Sequence, residues 1–395
     1  MGLNSTPNAN RIHIGFFGMR NAGKSSVVNA VTGQDLAIVS ETKGTTTDPV
    51  YKSMEILPLG ACTVIDTAGF DDIGELGEMR IKKTKQVLNR TDIALLIVDA
   101  TIGLSDYDNR MLELFKSKEI PYLIVYNKSD LVPNFKVENP NAISISALKN
   151  QGIYELKEKI TTLVSVEDFK LKIVGDLLQP NDFVVLVIPI DGSAPKGRLI
   201  LPQQQVIRDI LEVGAISIVT KETELKQTLE NLGKKPKMVI TDSQAFKRVS
   251  AETPNDVYLT SFSILMARYK GVLDTTVKGV RTIETLQDGD TVLISEGCTH
   301  HRQCEDIGTV KIPNWLKNYT KKDILFEFTS GIGFPEDLSK YSLIVHCGGC
   351  MLNEREVKYR MKSATDQNVP FTNYGIAIAY MNGILNRSIE IFPNL

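Results

Sequence analysis

The chain has 395 residues, 42% of them hydrophobic, and a formal net charge of −2 at pH 7. This length predicts two or three domains, because single hydrophobic cores stop growing at about 250–300 residues. A charge so close to neutral excludes the strongly basic surface of most nucleic-acid-binding proteins, and no apolar run reaches the roughly 20 residues of a membrane span. We therefore expect neither nucleic acid nor a membrane as a partner.

Cysteine use indicates the compartment. The five cysteines do not form an even disulfide framework, which favours a reducing environment. Residues 1–10 are small and polar and lack the apolar stretch of a secretory signal. We expect a cytoplasmic protein.

The first predicted strand, Arg11–Phe17, runs directly into the sequence Gly-Met-Arg-Asn-Ala-Gly-Lys-Ser at positions 18–25. A helical pattern follows at Ser26–Val31, and a strand, a glycine-rich loop and a helix in this order are typical of a phosphate-binding loop. Backbone N–H groups of such a loop surround phosphates. We expect Lys24 to reach the β- and γ-phosphates and Ser25 to bind Mg²⁺. The predicted phosphate-side residues are Gly18, Asn21, Ala22, Gly23, Lys24, Ser25 and Ser26.

Three further motifs accompany this loop. The sequence Asp66–Gly69 follows a predicted strand, Ala61–Ile65, and supplies a second carboxylate near Mg²⁺. The polar segment Gly44–Asp48 lies between the two motifs and can order around a γ-phosphate. After a predicted strand at 122–126 comes the sequence Asn127–Asp130, whose last carboxylate can accept both N1–H and N2–H₂ of guanine. The predicted base-side residues are Asn127, Lys128, Asp130, Ser146 and Ala147.

Residues 11–165 resemble the translation-factor class of small GTPases, in particular the group that includes the tRNA-modification GTPase and Era-like proteins. The resemblance implies that Thr46 meets Mg²⁺ together with Ser25, and that Asn21 helps to hold K⁺ where other enzymes place an arginine finger. Phe70 stands where Ras-like enzymes carry a glutamine, so we expect slow, potassium-stimulated hydrolysis. The predicted catalytic residues are Lys24, Thr46, Asp66 and Gly69.

The middle of the chain alternates strands and helices. An apolar strand is predicted at Asp182–Ile190, followed by helices at Pro202–Val213 and Glu222–Asn231 and by strands at Ser217–Val219 and Met238–Thr241. No catalytic constellation occurs in this part. A folded segment without chemistry is often an interaction module, and we expect it to mediate dimerisation.

The C-terminal third contains four of the five cysteines: Cys298, Cys304, Cys347 and Cys350. Strands are predicted at 291–295, 323–328 and 341–345, and helices at 261–270, 354–362 and 373–385. Cys298 and Cys347 both follow strands, so parallel neighbouring strands would bring their thiols together. Four thiols would make a closed zinc site, whereas three would hold a cubane cluster with one open iron position. The spacing alone leaves both alternatives open.

The whole chain resembles the iron–iron hydrogenase maturation GTPases. The residues that carry this resemblance are Cys298-x-His300 and His346-Cys347-x-x-Cys350, downstream of a GTPase domain and a middle α/β domain. The resemblance implies a 4Fe–4S cluster on Cys298, Cys347 and Cys350, and it leaves Cys304 outside the pattern. Candidates for a fourth ligand are His300, His301, Glu305 and Asp306.

The implied function is that of a GTP-hydrolysing scaffold or carrier. Such proteins assemble or hold a precursor of the di-iron subcluster, which they receive from radical-SAM maturases and deliver to apo-hydrogenase. The implied cofactors are GTP, Mg²⁺, K⁺, the 4Fe–4S cluster and the transient di-iron precursor. We expect a homodimer formed through the middle domain, with a higher oligomer as a further option.

The predicted fold is α/β throughout: a P-loop GTPase domain (1–168), an α/β dimerisation domain (169–265) and an α/β cluster-binding domain (266–395). One alternative is a GTPase with a structural zinc domain that acts in tRNA modification or ribosome assembly; the near-neutral charge speaks against it. A redox enzyme is a second alternative. The segment Gly331–Gly333 argues against that option, because it lacks the third glycine of a dinucleotide-binding fingerprint.

Overall fold

The computed structural model describes residues 7–33, 49–67, 83–133, 135–163, 173–190, 199–297, 306–331 and 333–392. The chain divides into two compact units, Met1–Lys170 and Leu171–Leu395. Within the described ranges, no helix combines the length and the apolar character needed to cross a membrane.

The first unit is built on a six-stranded sheet with the order β2-β3-β1-β4-β5-β6. Only the pairing of β2 with β3 is antiparallel. The central strands β1 and β4 are apolar almost throughout, as expected for parallel strands covered on both faces. The strands are β1 (Ile12–Phe17), β2 (Val50–Ile56), β3 (Gly60–Asp66), β4 (Ile93–Asp99), β5 (Tyr122–Asn127) and β6 (Ala142–Ser144).

Helices cover both faces of this sheet. Separate apolar cores form on its two sides, one beneath the first and last helices and one beneath the middle helix. The middle helix begins with a reciprocal capping box, in which Ser105 and Asp108 each bond the other's backbone N–H. The named helices are α1 (Lys24–Thr32), α2 (Asp106–Ser117) and α3 (Ile153–Thr162), and residues 83–88 are also helical.

The second unit contains two four-stranded sheets, with the orders β10-β9-β7-β8 and β12-β11-β13-β14. Every strand pairing in both sheets is parallel. The first sheet is formed by β7 (Phe183–Val187), β8 (Ile216–Thr220), β9 (Met238–Thr241) and β10 (Tyr258–Ser261). The second is formed by β11 (Thr291–Ser295), β12 (Leu325–Thr329), β13 (Leu343–His346) and β14 (Phe371–Asn373).

The helices of the second unit connect these parallel strands, as crossover connections require. They are α4 (Leu201–Glu212), α5 (Leu225–Asn231), α6 (Phe246–Glu252), α7 (Phe262–Tyr269), α8 (Leu273–Gly279), α9 (Ile312–Thr320), α10 (Glu354–Asp366), α11 (Tyr374–Met381) and α12 (Leu385–Ile389). One continuous apolar core runs through both sheets and includes Val185, Leu259, Ile294, Val345 and Ile376. The three-domain boundaries stay a prediction.

One predicted element is wrong. The sequence pattern indicates a single helix over 373–385, whereas this segment begins in strand β14 and contains two helices, α11 and α12. The side chain of Asn373 caps α11 by accepting a hydrogen bond from the backbone N–H of Ile376 at 2.8 Å. Gly383 then adopts φ 72°, which ends the helical path before α12.

Candidate functional site

The loop between β1 and α1 is held by glycines at two points. Gly18 has φ 141°, and a Cβ atom there would lie 2.2 Å from the carbonyl oxygen of Ile97 in β4. Gly23 has φ 87°, and its Cβ would lie 2.3 Å from the amide nitrogen of Asn127. Any side chain at either position would collide with its neighbour, so both glycines are required for the loop to sit against the sheet.

Lys24 is the first residue of α1 and is 7% exposed. Its ammonium group donates to the carbonyl oxygens of Gly18 at 3.0 Å and Met19 at 2.9 Å, both in the preceding loop. The charge therefore lies across the concave side of the loop that begins the helix. This is the geometry in which an ammonium group meets the phosphates of a bound nucleotide.

Ser25 and Asp66 lie together where α1 begins and β3 ends. The hydroxyl of Ser25 donates to Oδ2 of Asp66 at 2.7 Å. The other oxygen, Oδ1, is buried and has no hydrogen-bond partner among the described residues. Burial raises the pKa of the Asp66 carboxyl, although the bond from Ser25 and the charges of Lys24 and Lys52 oppose that rise. A hydroxyl beside a carboxylate oxygen without a partner is a donor set that fits Mg²⁺.

Asn127 connects the two halves of the nucleotide region. Its side-chain amide donates to the carbonyl oxygen of Ala22 at 3.0 Å and accepts from the backbone N–H of Ala147 at 3.0 Å. Asn127 thus fixes the phosphate-side loop to the segment at 146–147. The sequence predicted both ends of this link, because each belongs to a separate motif.

Asp130 lies on the base side of the same region. A hydrogen bond from Ser146 holds the pKa of its carboxyl below the usual range. The ammonium group of Lys128 donates to Oδ2 of Asp99 at 2.6 Å. Asp99 was not predicted as a site residue, although its place at the end of the apolar run 93–98 is a usable signal: ends of parallel strands meet at one sheet edge.

A cleft of about 570 Å³ adjoins these residues. Seven predicted nucleotide-site residues line it: Gly23, Ser26, Asn127, Lys128, Asp130, Ser146 and Ala147. Leu148, which follows the predicted residues Ser146 and Ala147 in sequence, also lines it, and residues that the sequence did not single out complete the wall, among them Asn29, Ala30 and Asn150. Asn21 is exposed in the loop with φ 61°. Thr46, Gly69 and Phe70 lie outside the described residues.

The second region of interest is the edge of the second unit where β11 and β13 end. These strands are parallel neighbours, with Ser295 opposite His346, which is the arrangement that the sequence argument for neighbouring thiols required. The backbone N–H of Cys347 donates to the carbonyl oxygen of Ser295 at 2.8 Å. The register therefore places Cys347 beside the segment that leaves β11 and leads towards Cys298, which lies outside the described residues.

The sulfur of Cys347 accepts two backbone hydrogen bonds. The donors are the N–H groups of Gly297 at 3.1 Å and Gly349 at 3.3 Å. Burial raises the pKa of both the Cys347 and the Cys350 thiol, while those two N–H groups lower that of Cys347. Both thiols are free and partly accessible. Binding a metal group here would displace the thiol protons, because the thiolate is the form that binds metal.

The turn of residues 347–350, called here the Cys347 turn, depends on one glycine conformation. Gly349 has φ 62°, and a Cβ atom there would lie 3.0 Å from a methyl group of Val357. Its carbonyl oxygen accepts from the backbone N–H of Leu352 at 3.0 Å. The turn thereby presents Cys347 and Cys350 from one tight loop. Two soft thiol donors on such a loop fit a thiolate-bound iron–sulfur group or a zinc ion.

His346, the last residue of β13, directly precedes the Cys347 turn and is 1% exposed. Its Nδ1 lies 2.7 Å from the carbonyl oxygen of Cys347, and its Nε2 lies 3.2 Å from Nη1 of Arg360. Because arginine can only donate, Nε2 accepts and we assign the proton to Nδ1. Burial and the charge of Arg360 lower the pKa of His346 to about 3. His346 is therefore a neutral side chain that orients Cys347.

Arg360 lies in α10, is 1% exposed, and connects His346 to neighbouring elements through its hydrogen bonds. Its guanidinium donates to the carboxylate of Glu356 at 2.9 Å and to the carbonyl oxygen of Gly331 at 2.6 Å. With His346 at 3.2 Å, these contacts link β13, α10 and the loop after β12. Neither Glu356 nor Arg360 was predicted, because their partners are distant in sequence and no short motif marks them.

The remaining predicted ligands have different outcomes. Cys298, His300, His301, Cys304 and Glu305 lie outside the described residues. Oδ2 of Asp306 accepts from the backbone N–H and the hydroxyl of Thr309, both at 2.8 Å, so this carboxylate caps the following helical turn. Among the described residues, those of the Cys347 turn included, no three His, Cys, Asp or Glu side chains come together as a complete metal site would require.

Family models match three successive parts of the chain. Residues 13–128 match a 50S ribosome-binding GTPase model. Residues 173–271 match the hydrogen maturase F dimerization domain, and residues 274–391 match the hydrogen maturase F tetramerization domain. The last two matches together cover more than half of the chain. The chain belongs to the hydrogen maturase F family. The descriptions of its two C-terminal domains support homo-oligomerisation of this family member.

Sequence relatives of this hydrogen maturase F family member match over part of its length. The tRNA modification GTPase MnmE of Clostridioides difficile (strain 630) is 35% identical over 157 residues, which are 37% of this chain and 33% of that protein. The MnmE of Desulforamulus reducens is 36% identical over 159 residues, again 37% and 33% of the two chains. The chain therefore spans about a third of the length of these relatives.

Among solved structures, a variant of Aquifex aeolicus Era bound to GDP and AlF4⁻ is similar to the chain at 20% identity with a TM-score of 0.35. The match covers 53% of this chain and 92% of the Era chain. The G domain of the Thermotoga maritima iron transporter FeoB matches at 19% identity with a TM-score of 0.31, over 39% of this chain and 99% of the other.

Proposed function

We propose that the chain is a GTP-hydrolysing scaffold or carrier that binds a 4Fe–4S cluster and assembles or delivers the di-iron subcluster precursor to apo-hydrogenase. The observation that carries the proposal is the Cys347 turn, with two free thiols and two N–H···S bonds, in a chain of the hydrogen maturase F family. Radical-SAM maturases supply the precursor in this account.

The nucleotide part of the proposal assigns GTP and Mg²⁺ to the first unit. Lys24 holds the β- and γ-phosphates, and Ser25, Thr46 and Asp66 hold or orient Mg²⁺. The Asp130 carboxylate accepts hydrogen bonds from guanine. Asn127 fixes the positions of the base-side and phosphate-side segments through its hydrogen bonds to Ala22 and Ala147. Asn21 contributes to a K⁺ site, and hydrolysis is slow because Phe70 cannot orient water by hydrogen bonding.

The metal part of the proposal assigns the cluster to Cys298, Cys347 and Cys350, with His300 or Glu305 at the fourth iron position. A weak ligand at that position would be exchangeable, so an incoming ligand could take its place on the fourth iron. The chain's own residues provide the rest. His346 and Arg360 orient the Cys347 turn, and the N–H groups of Gly297 and Gly349 stabilise negative charge on the Cys347 sulfur.

Activation of hydrogenase tests the proposal as a whole. Protein purified anaerobically from cells that also produce the maturases is mixed with apo-hydrogenase, and hydrogen evolution is measured. We expect activation by the unaltered protein and by Cys62→Ala, since Cys62 is buried in β3 of the first unit, outside the residues proposed to bind GTP or the cluster. Iron-loaded protein that leaves the hydrogenase inactive would contradict the carrier function.

Homo-oligomerisation has candidate surfaces at the free edges of the two sheets in the second unit. Edge strands β10 and β14 are largely buried, whereas the opposite edges expose apolar side chains. Ile216 and Val219 of β8 are 39% and 51% exposed, and Leu325 and Phe328 of β12 are 54% and 39% exposed. Strand edges that pair with no other described strand and expose apolar side chains favour pairing with a second copy.

We expect Val219→Lys to weaken self-association through β8 at least about tenfold, because symmetry would place like charges close together at the interface. Light scattering coupled to size-exclusion chromatography measures the mass of the assembly. Tyr154→Lys is the matched control, because Tyr154 is a 72% exposed aromatic residue outside the dimerization-domain match. An unchanged mass for Val219→Lys across a dilution series would exclude β8 as the interface.

A further inference from the structure

Lys270 is a buried lysine that no motif singles out. It is the residue after α7 and is only 3% exposed. Its ammonium group donates to the carbonyl oxygen of Leu352 at 2.5 Å. Leu352 follows Cys350 by two residues, and its own N–H bonds to Gly349. The lysine side chain therefore reaches across 82 positions of sequence to place a positive charge against the Cys347 turn.

The ammonium group has more donors than acceptors around it. An ammonium carries three N–H bonds, and the described residues provide one acceptor, the carbonyl oxygen of Leu352. Among the described residues, no carboxylate forms an ion pair with it: the nearby Glu354 is paired with Lys358. Burying an unpaired charge is costly, and such a charge is normally retained where a partner of opposite sign completes the site.

Arg360, the other buried cation among the described residues of this unit, already has several hydrogen-bond acceptors around its guanidinium group. Arg360 is engaged by Glu356, Gly331 and His346. The acidic groups near enough to raise the pKa of Lys270 are those of Cys350, Glu354 and Cys347. Burial lowers the pKa of Lys270 to about 8, with these three groups opposing the fall, so the side chain is mainly protonated at neutral pH.

We infer that Lys270 is the charge-compensating residue of the metal centre: its buried ammonium group donates its remaining N–H bonds to the anionic sulfur group that Cys347 and Cys350 hold. The inference rests on the proposed function, which puts a thiolate-bound cluster at this turn. A cluster gains negative charge on reduction, so a buried cation beside it stabilises the reduced state and raises the reduction potential. In this role Lys270 acts through its charge and its hydrogen bonds and is not itself a metal ligand.

The test compares three substitutions that separate charge from hydrogen bonding. Lys270→Gln removes the charge and keeps a donor for Leu352, Lys270→Met removes both, and Lys270→Arg keeps both. Lys278→Met removes an exposed lysine of α8 and is the matched control. Iron and sulfide are measured on anaerobically purified full-length protein, and a reductive titration is followed by electron paramagnetic resonance.

We expect Lys270→Gln to lower the ratio of reduced to oxidised cluster at least about tenfold, measured at the midpoint potential of the unaltered protein. For one electron, this ratio corresponds to a midpoint potential that is lower by 59 mV. Loss of iron from that variant, with an unchanged circular dichroism spectrum, supports the same role. Lys270→Arg and Lys278→Met should titrate like the unaltered protein.

Two results would overturn the inference. One is a glutamine variant with the iron content and potential of the unaltered protein. The other is an equal change of iron content or potential in the glutamine and arginine variants, which would mean that Lys270 acts through packing and not through its charge. If only Lys270→Met fails to fold, the glutamine and arginine variants still provide the test. Unaltered protein without iron or sulfide would instead refute the proposed function on which the inference rests.

Discussion

Cys347→Ser is expected to reduce the iron content of the anaerobically purified protein from about four per chain, the number in a cubane cluster, to below one. Cys347 is the thiol best prepared to bind a metal group, because the N–H groups of Gly297 and Gly349 point at its sulfur. A serine oxygen is a harder and far more basic donor than a thiolate, and it binds iron–sulfur groups poorly. The loss should therefore be nearly complete.

The substitution should leave the fold intact, because serine differs from cysteine in a single atom. The backbone hydrogen bonds from Cys347 to Ser295 and from Leu352 to Gly349 do not involve the sulfur and remain possible. Circular dichroism checks this point. Cys62→Ala is the matched control: Cys62 is also a free cysteine, is fully buried in the first unit, and should leave the iron content unchanged. Iron that stays near four per chain in Cys347→Ser would remove this residue from the ligand set.

Lys24→Ala should lower GTP turnover by about a hundredfold or more. The Lys24 ammonium group lies across the phosphate-side loop, within 3.0 Å of the carbonyl oxygens of Gly18 and Met19. In phosphoryl transfer this charge stabilises the developing negative charge on the phosphates, and losing one preorganised charge at a reacting centre costs about that factor. Release of inorganic phosphate under saturating GTP measures the effect.

The control for this substitution is Lys116→Ala, an exposed lysine in the last turn of α2, which should hydrolyse GTP at the rate of the unaltered protein. Iron content is a second readout, and it should not change in Lys24→Ala because the thiols belong to the second unit. Turnover within threefold of the unaltered protein would contradict the role assigned to Lys24.

Local sequence patterns predicted the parts of the molecule where consecutive residues share one environment. Strands β1, β9 and β11 were found because buried parallel strands are continuous apolar runs. The phosphate-side loop was found because its glycines and Lys24 are adjacent in sequence. The sequence also indicated that the strands now called β11 and β13 each lead to a cysteine, but it left open whether the two strands are neighbours, which the sheet register shows.

The parts that were not predicted depend on contacts between distant residues. Strand β14 has three residues, which are too few for a periodic pattern. The small residues that follow it therefore led to the prediction of a single helix over 373–385. The support of the Cys347 turn is likewise not local: Lys270 meets Leu352 from 82 positions away and Arg360 meets Ser295 from 65 positions away. Tertiary packing decides such contacts, and short-range propensity carries no information about them.

The two candidate sites differ in how far the described residues support them. On the nucleotide side, residues predicted to bind the phosphates and residues predicted to bind the guanine base meet in one region joined by Asn127. On the metal side, two of the three proposed thiols share one turn, and two backbone N–H groups and the side chain of His346 support Cys347 there. The roles of all these site residues stay predictions, and Thr46, Gly69, Cys298, His300 and Glu305 also lie outside the described residues.

The measurement that tests the account most directly is the iron, sulfide and zinc content of the anaerobically purified protein, with electron paramagnetic resonance after reduction. The account predicts iron and sulfide near about four per chain and the signal of a reduced cubane cluster. Stoichiometric zinc without iron or sulfide would contradict it, and would identify the thiols of the Cys347 turn as part of a structural zinc site.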